Sequence, residues 1–147
     1  MTEVIVHTHN EDNSRVVVTY PSGEISINEL IERVVDKSKP YTIINEDDLP
    51  NDTNYFEAWQ LIDGKIVINM DKARDRHRDI LRDERQKYFA SLDILFMRAI
   101  EAMNIELQQD LASQKQKLRD ITSHPAIMLA TTTIELHALN IDSLLNQ

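Results

Sequence analysis

The chain has 147 residues, 41% of them apolar and only 5% aromatic, with no cysteine and a formal net charge of −9. That length suits one domain, or a small domain with an appendage, resting on Leu, Ile and Val. The acidity argues against nucleic acid as a partner, since phosphate contacts need clustered Lys and Arg, and the missing thiols exclude disulfides and thiolate chemistry.

The charge is uneven. Residues 1–70 carry 5 basic and 13 acidic groups, whereas 71–147 carry 11 and 12. Between Asp71 and Lys87 there are 7 basic and 5 acidic groups, a local positive excess that could attract the acidic half of a neighbouring copy. Met1-Thr2-Glu3-Val4 shows neither a basic region nor a long apolar run, so no signal peptide is expected. No apolar run approaches the roughly 20 residues that span a bilayer. The expectation is a soluble protein made in a cytoplasm, with no membrane partner.

In chain order, the β-branched triplets Val4-Ile5-Val6 and Val16-Val17-Val18 flank the polar run Asn10 to Ser14 and predict a hairpin. Tyr20-Pro21-Ser22-Gly23 is a turn. Ser26-Ile27-Asn28-Glu29 has the form of a capping box, with Ile25 and Leu30 at the staple spacing around it. Leu30, Ile31, Val34 and Val35 give the helix that follows an apolar face, and it should end before Pro40. Tyr41 to Ile44 reads as a strand and Glu46 to Asp52 as an acidic loop. Phe56 to Ile62 and Lys65 to Ile68 flank Asp63-Gly64, a strong signal for a tight hairpin.

From Asp71 to Asp120 there are 50 residues without Gly or Pro, and two helical patterns broken near Asn104-Ile105. In the first, Ala73, His77, Ile80, Tyr88, Leu92, Leu95, Phe96, Ala99 and Met103 recur at spacings of three and four. A helix through Met103 is roughly 50 Å long, too long for residues 1–70 to cover. The stripe His77, Ile80, Tyr88, Leu92, Leu95, Phe96, Ala99 and Met103 is therefore the expected partner-binding surface. Leu107, Leu111, Leu118 and Ile121 form a narrower line on the second helix. After His124-Pro125, Thr132-Thr133-Ile134-Glu135 is a further capping box opening a short terminal helix with Leu136, Leu139, Leu144 and Leu145. The expected fold class is α+β: an acidic domain over 1–70 with about five short strands and one helix, a helical hairpin over 71–122, and a C-terminal segment over 123–147. The passage Asn69-Met70-Asp71 from last strand to long helix has no linker and should be rigid.

Candidate chemistry is thin. His7-Thr8-His9 puts two imidazoles on one face of a strand, where a metal could bind, but two ligands do not make a site, and polar residues near an edge are the preferred reading. Glu46, Asp47, Asp48 and Asp52 could offer oxygen ligands to Ca²⁺ but lack the order of a dedicated loop, so a solvated acidic turn is preferred. His77 lies among Arg74, Arg76 and Arg78, which would disfavour its charged form; no Ser, Cys or paired carboxylate stands ready to complete a catalytic set. Gly23 and Gly64 are the only glycines, too few for a dinucleotide or phosphate loop. The expectation is no enzyme, no cofactor, no metal and no small-molecule substrate.

Several segments in combination carry a resemblance: Pro40 to Ile44, Asp48-Leu49-Pro50-Asn51-Asp52, Phe56-Glu57-Ala58-Trp59 and Val67 to Arg74. They continue with His77-Arg78, Ala90-Ser91-Leu92-Asp93, Phe96 to Glu101, Lys115 to Asp120, Pro125-Ala126-Ile127, and Thr131-Thr132 leading to Glu135-Leu136. From Pro40 to Leu139 the chain resembles a group of small proteins encoded in the structural modules of tailed bacteriophages and prophages, segments of which also occur in tail-fibre and tail-assembly proteins. The pattern expected of that group places Trp-Pro after the last short helix, where this sequence reads Ile141-Asp142-Ser143-Leu144-Leu145-Asn146-Gln147. The resemblance implies a virion location, other phage structural proteins and copies of the chain itself as partners, and no catalytic residues. It leaves two roles open: a permanent tail, collar, fibre-attachment or capsid decoration component, or an assembly chaperone for a tail or tail-fibre protein that leaves before maturity.

Overall fold

The structure, a computed structural model, describes residues 2–146; Met1 and Gln147, at the two ends of the sequence read above, lie outside the described residues. The fold is α+β, with short N-terminal strands in two small sheets followed by a long helix and further helices. The chain divides into two compact units, Met1–Ala73 and Arg74–Gln147.

In the first unit, β1 (Glu3–Thr8) lies between β2 (Val16–Thr19) and β3 (Tyr41–Asn45), antiparallel to both. Side chains alternate across a strand, so Val4 and Val6 point one way and Ile5 the other. Both directions are covered. Val4 and Val6 join Val16 and Trp59 in one cluster, while Ile5 packs with Ile31 and Val35 in a second. A strand buried on both faces has no reason to alternate apolar with polar, which is why the triplet is unbroken. The second cluster is supplied by α1 (Ile27–Val34), whose expected capping box is formed: Ser26 Oγ accepts from Glu29 N–H at 3.2 Å, and the Glu29 carboxylate accepts from Ser26 N–H at 3.1 Å.

The second sheet is the hairpin of β4 (Trp59–Ile62) and β5 (Lys65–Ile68). Its two turn residues, Asp63 and Gly64, both have positive φ, +52° and +74°, the backbone that a twisted two-residue hairpin requires. The strand before it is shorter than the sequence pattern suggests. Phe56, Glu57 and Ala58 belong to a 3-10 stretch over Thr53–Ala58, opened by the Asp52 carboxylate accepting from Asn54 N–H at 2.9 Å. At three residues per turn, Phe56 and Trp59 fall on the same side; their rings lie 4.9 Å apart, centre to centre, and both reach the Val4–Val6 cluster.

The long helix α2 (Met70–Glu101) starts directly after β5. Asn69 stands at its start: its backbone N–H donates to Ala58 O at 2.8 Å and its side-chain oxygen accepts from Lys72 N–H at 3.2 Å. The helix ends as the sequence suggests, just before Asn104. Met103 takes φ +53°, its N–H donates to Ile100 O at 3.0 Å, and Asn104 N–H donates to Ala99 O at 2.9 Å. That pair of bonds is a Schellman closure, with methionine where glycine is usual. Asn104 then caps α3 (Ile105–Asp120), its side-chain oxygen accepting from Leu107 N–H at 3.0 Å.

The remainder of the second unit departs from the expected single terminal helix. It forms three five-residue helices: α4 (Pro125–Leu129), α5 (Thr133–His137) and α6 (Ile141–Leu145). The Thr132 cap is present, accepting from Glu135 N–H at 3.2 Å, but Asn140 interrupts and starts α6, accepting from Ser143 N–H at 2.8 Å. Helices this short do not persist alone. They hold by burying Ile127, Leu136, Ile141 and Leu144. Hairpin and C-terminal segment, read from the sequence as divisions at 71–122 and 123–147, therefore make one unit.

Candidate functional site

Each five-residue helix leaves most of its backbone carbonyls without a partner inside the helix. In the second unit, α2 supplies much of what they need. Arg74 Nη2 donates to Ala130 O at 2.8 Å, His77 Nε2 to Leu139 O at 2.7 Å, and Arg78 Nε to Thr122 O at 3.2 Å. Arg85 Nη1 donates to Leu118 O at 3.2 Å and Arg119 O at 3.1 Å, at the C-terminal end of α3, where a cation also opposes the helix dipole. The Tyr88 hydroxyl donates to Asp142 at 3.0 Å, and that bond to a carboxylate raises the tyrosine pKa. Three of the arginines read as an attraction for a neighbouring copy are thus turned onto backbone carbonyls of their own chain.

His77 is buried and its pKa is lowered. Burial is the main cause, partly offset by the bond to Leu139; the flanking arginines invoked from the sequence are not among the causes. A carbonyl oxygen can only accept, so Nε2 carries the proton of the neutral ring.

The expected partner stripe divides in the structure. His77 and Ala99 are buried, Ile80, Tyr88, Leu92 and Phe96 are half-buried, and only Leu95 and Met103 are exposed. Its inward part faces both α3 and the C-terminal segment: His77 and Tyr88 meet Leu139 and Asp142, whereas Phe96 lies under the Lys115 ammonium of α3, which also pairs with Asp93 at 2.6 Å. The sequence reading missed Leu81, fully buried, four residues beyond His77 on the same face. It also missed Ile94, Met97, Ile100 and Ile105, which are exposed. Toward the turn between α2 and α3, these four join Leu95, Met103 and Leu107, and all seven stand exposed. Met103, at 84%, is the most open of these. Ala90, Ile94 and Met97, at spacings of four and three, were the available signal; a search for one stripe assigns them to the polar side. A groove of about 490 Å³ between α2, α3 and α6 lies nearby, with Tyr88, Leu92, Leu118 and Leu145 on its walls and Lys87 and Lys117 at its rim.

In the first unit, His7 lies inside the end of β1 and His9 just beyond it. His7 Nδ1 donates to Thr8 O at 3.3 Å, leaving Nε2 to accept from the Thr19 hydroxyl at 3.1 Å. Burial lowers its pKa. His9 Nδ1 accepts from Glu11 N–H and Asp12 N–H, both at 3.1 Å. Each ring spends its unprotonated nitrogen, or one of its two nitrogens, on the local fold. Among the described residues no group of three or more His, Asp or Glu is placed to hold a metal ion. Glu46–Asp48 forms a 3-10 turn with Leu49 folded behind it. No helix is long and apolar enough to cross a membrane, among the described residues. Comparison with protein-family models, characterised proteins and solved structures finds no match.

Proposed function

We propose that this chain is a non-enzymatic structural protein of a tailed bacteriophage, located in the virion. It would act through contacts with other phage structural proteins and with its own copies, in the tail, collar or fibre-attachment region or as a capsid decoration protein. The observation that carries the reading is the bare end of the helical hairpin, where seven large apolar side chains between Ile94 and Leu107 are exposed. Apolar surface gains about 25 cal/mol per Å² when it leaves water, and contiguous exposed patches mark binding surfaces on soluble proteins. The sequence resemblance from Pro40 to Leu139 supplies the setting. The side chains with chemical potential elsewhere in the chain, His77, Arg74, Arg78 and Arg85, are engaged in holding backbone carbonyls.

Mass spectrometry of purified particles tests the reading. The chain is expected in mature virions at a fixed ratio to the tail or capsid proteins. Its presence in infected cells but absence from particles would overturn the structural role in favour of the assembly chaperone.

A further inference from the structure

Along the exposed side of α2, residues recur at spacings of three and four: Lys87, which also stands at the rim of the groove, Ala90, Ile94, Met97 and Glu101. All five are exposed, Ile94 at 54% and Met97 at 62%. Its charged ends are symmetric about Ile94: Lys87 stands seven residues before it and Glu101 seven after, while Ala90 is four before and Met97 three after. Seven residues are two helical turns, so both charges lie in line with Ile94, about 10 Å to either side. Among the described residues, neither the Lys87 ammonium nor the Glu101 carboxylate has a hydrogen-bond or ion-pair partner within the chain; Lys87 takes part only through its backbone carbonyl, which accepts from the Ser91 hydroxyl.

The charged ends of such a stripe are complementary when it is reversed. Under a two-fold axis through Ile94, a second α2 running antiparallel sets Ile94 against Ile94. Lys87 then faces Glu101 of the other copy and Glu101 faces its Lys87. Ala90, the smallest side chain of the set, lies one turn from the axis and lets the backbones approach. Arg98, one turn to the other side, lays its aliphatic stem across Ala90 of the second copy. A parallel pairing would set Lys87 against Lys87 and Glu101 against Glu101, which like charge disfavours. An isologous contact of this kind closes on two copies.

We infer that this face of α2 is the surface on which two copies of the chain associate as an antiparallel, two-fold pair, with the Lys87–Glu101 ion pairs setting direction and register. The inference rests on the assembly reading above for its role, naming the partner of one face. The other apolar residues of the hairpin end, Leu95, Ile100, Met103, Ile105 and Leu107, stay available to other proteins.

Sedimentation equilibrium on the full chain tests it. The native protein is expected to show a concentration-dependent dimer. Ile94→Glu, at an exposed position, should give a monomer with unchanged helix content by circular dichroism. Lys87→Glu and Glu101→Lys should each raise the dissociation constant by about tenfold or more, and the double variant should restore native association, because it exchanges the charges without changing their pairing. The two exchanges alter exposed side chains only, so they decide the matter even if Ile94→Glu fails to fold. A native chain that is monomeric at all concentrations, or a double variant no better than either single one, would overturn the pairing. Failure here leaves the particle measurement untouched, and absence from particles leaves a dimer in solution standing.

Discussion

Met103 adopts a left-handed backbone, φ +53°, which costs a residue with a Cβ about 1–2 kcal/mol that glycine does not incur. Replacing it by glycine also loosens the unfolded chain, offsetting about 0.4–1 kcal/mol of the gain. Met103→Gly is therefore expected to stabilise the protein by about 0.5–1 kcal/mol, seen as a higher urea midpoint at unchanged slope. The side chain is almost wholly in solvent and contributes little to the fold it strains. Its place at the bare end of the hairpin points to contact with another protein, so the same substitution should weaken binding to that protein, but not the α2 pairing, while strengthening the fold.

At the scale of elements, α2 is tied to α3 and the segments after it by side-chain N–H groups, three of them on arginines, that meet backbone carbonyl oxygens. Arg85 and Arg82 separate this from ordinary surface charge. Arg85 donates to two carbonyls at the end of α3, whereas Arg82, among the described residues, makes only an exposed pair with Asp79. Hydrogen bonds from charged donors are worth about 1.5–3 kcal/mol and exposed ion pairs about 0–1. Arg85→Met is expected to lower the denaturation free energy by about 1–3 kcal/mol and Arg82→Met by under about 0.5 kcal/mol, measured by urea titration. Elements whose causes are local were legible beforehand. Asp63-Gly64 specifies its own turn, Ser26 and Glu29 their own cap, and Asn104 the break between long helices. What was hidden depends on residues far apart in sequence. Nothing near Arg85 announces the carbonyls of Leu118 and Arg119. Nothing near Phe56 says that a 3-10 turn, bringing it beside Trp59, will win over a longer strand. The leucines of 136–145 fit one helix until Asn140, a good cap and a poor helix former, divides them. The partner stripe was half-legible for a related reason. Spacing finds apolar faces, but only the partner across each face tells whether it is inside or outside, and Phe96 and Ile94 are two residues apart.

For the whole molecule, each unit keeps one buried, neutral histidine: His7 in the first and His77 in the second, both with a pKa lowered from the ordinary 6.5 mainly by burial. The unfolded chain binds protons at these sites near pH 6.5, while the folded chain binds them only at lower pH. Stability is therefore fully present above 6.5 and is lost as the pH falls through that value toward the folded pKa values. Urea midpoints should be higher at about pH 7.5 than at about pH 5.5, and the double variant His7→Gln, His77→Gln should flatten that difference while lowering stability at both. The net charge of −9 also keeps copies apart in dilute solution, so any pairing should strengthen as salt screens that repulsion and weaken only where a specific ion pair is screened with it.

With no cysteine in the chain, its sulfur chemistry falls to methionine, and the two described methionines most open to solvent, Met103 and Met97, both stand on the bare end of the hairpin. Oxidation to the sulfoxide turns an apolar side chain into a polar one. Mild peroxide should thus convert the exposed apolar patch to a polar surface while the buried side chains keep the fold. Treated protein is expected to retain its helical circular dichroism and lose association, with reversal by methionine sulfoxide reductase. Ageing in air would then disarm the chain as an assembling part long before it unfolds.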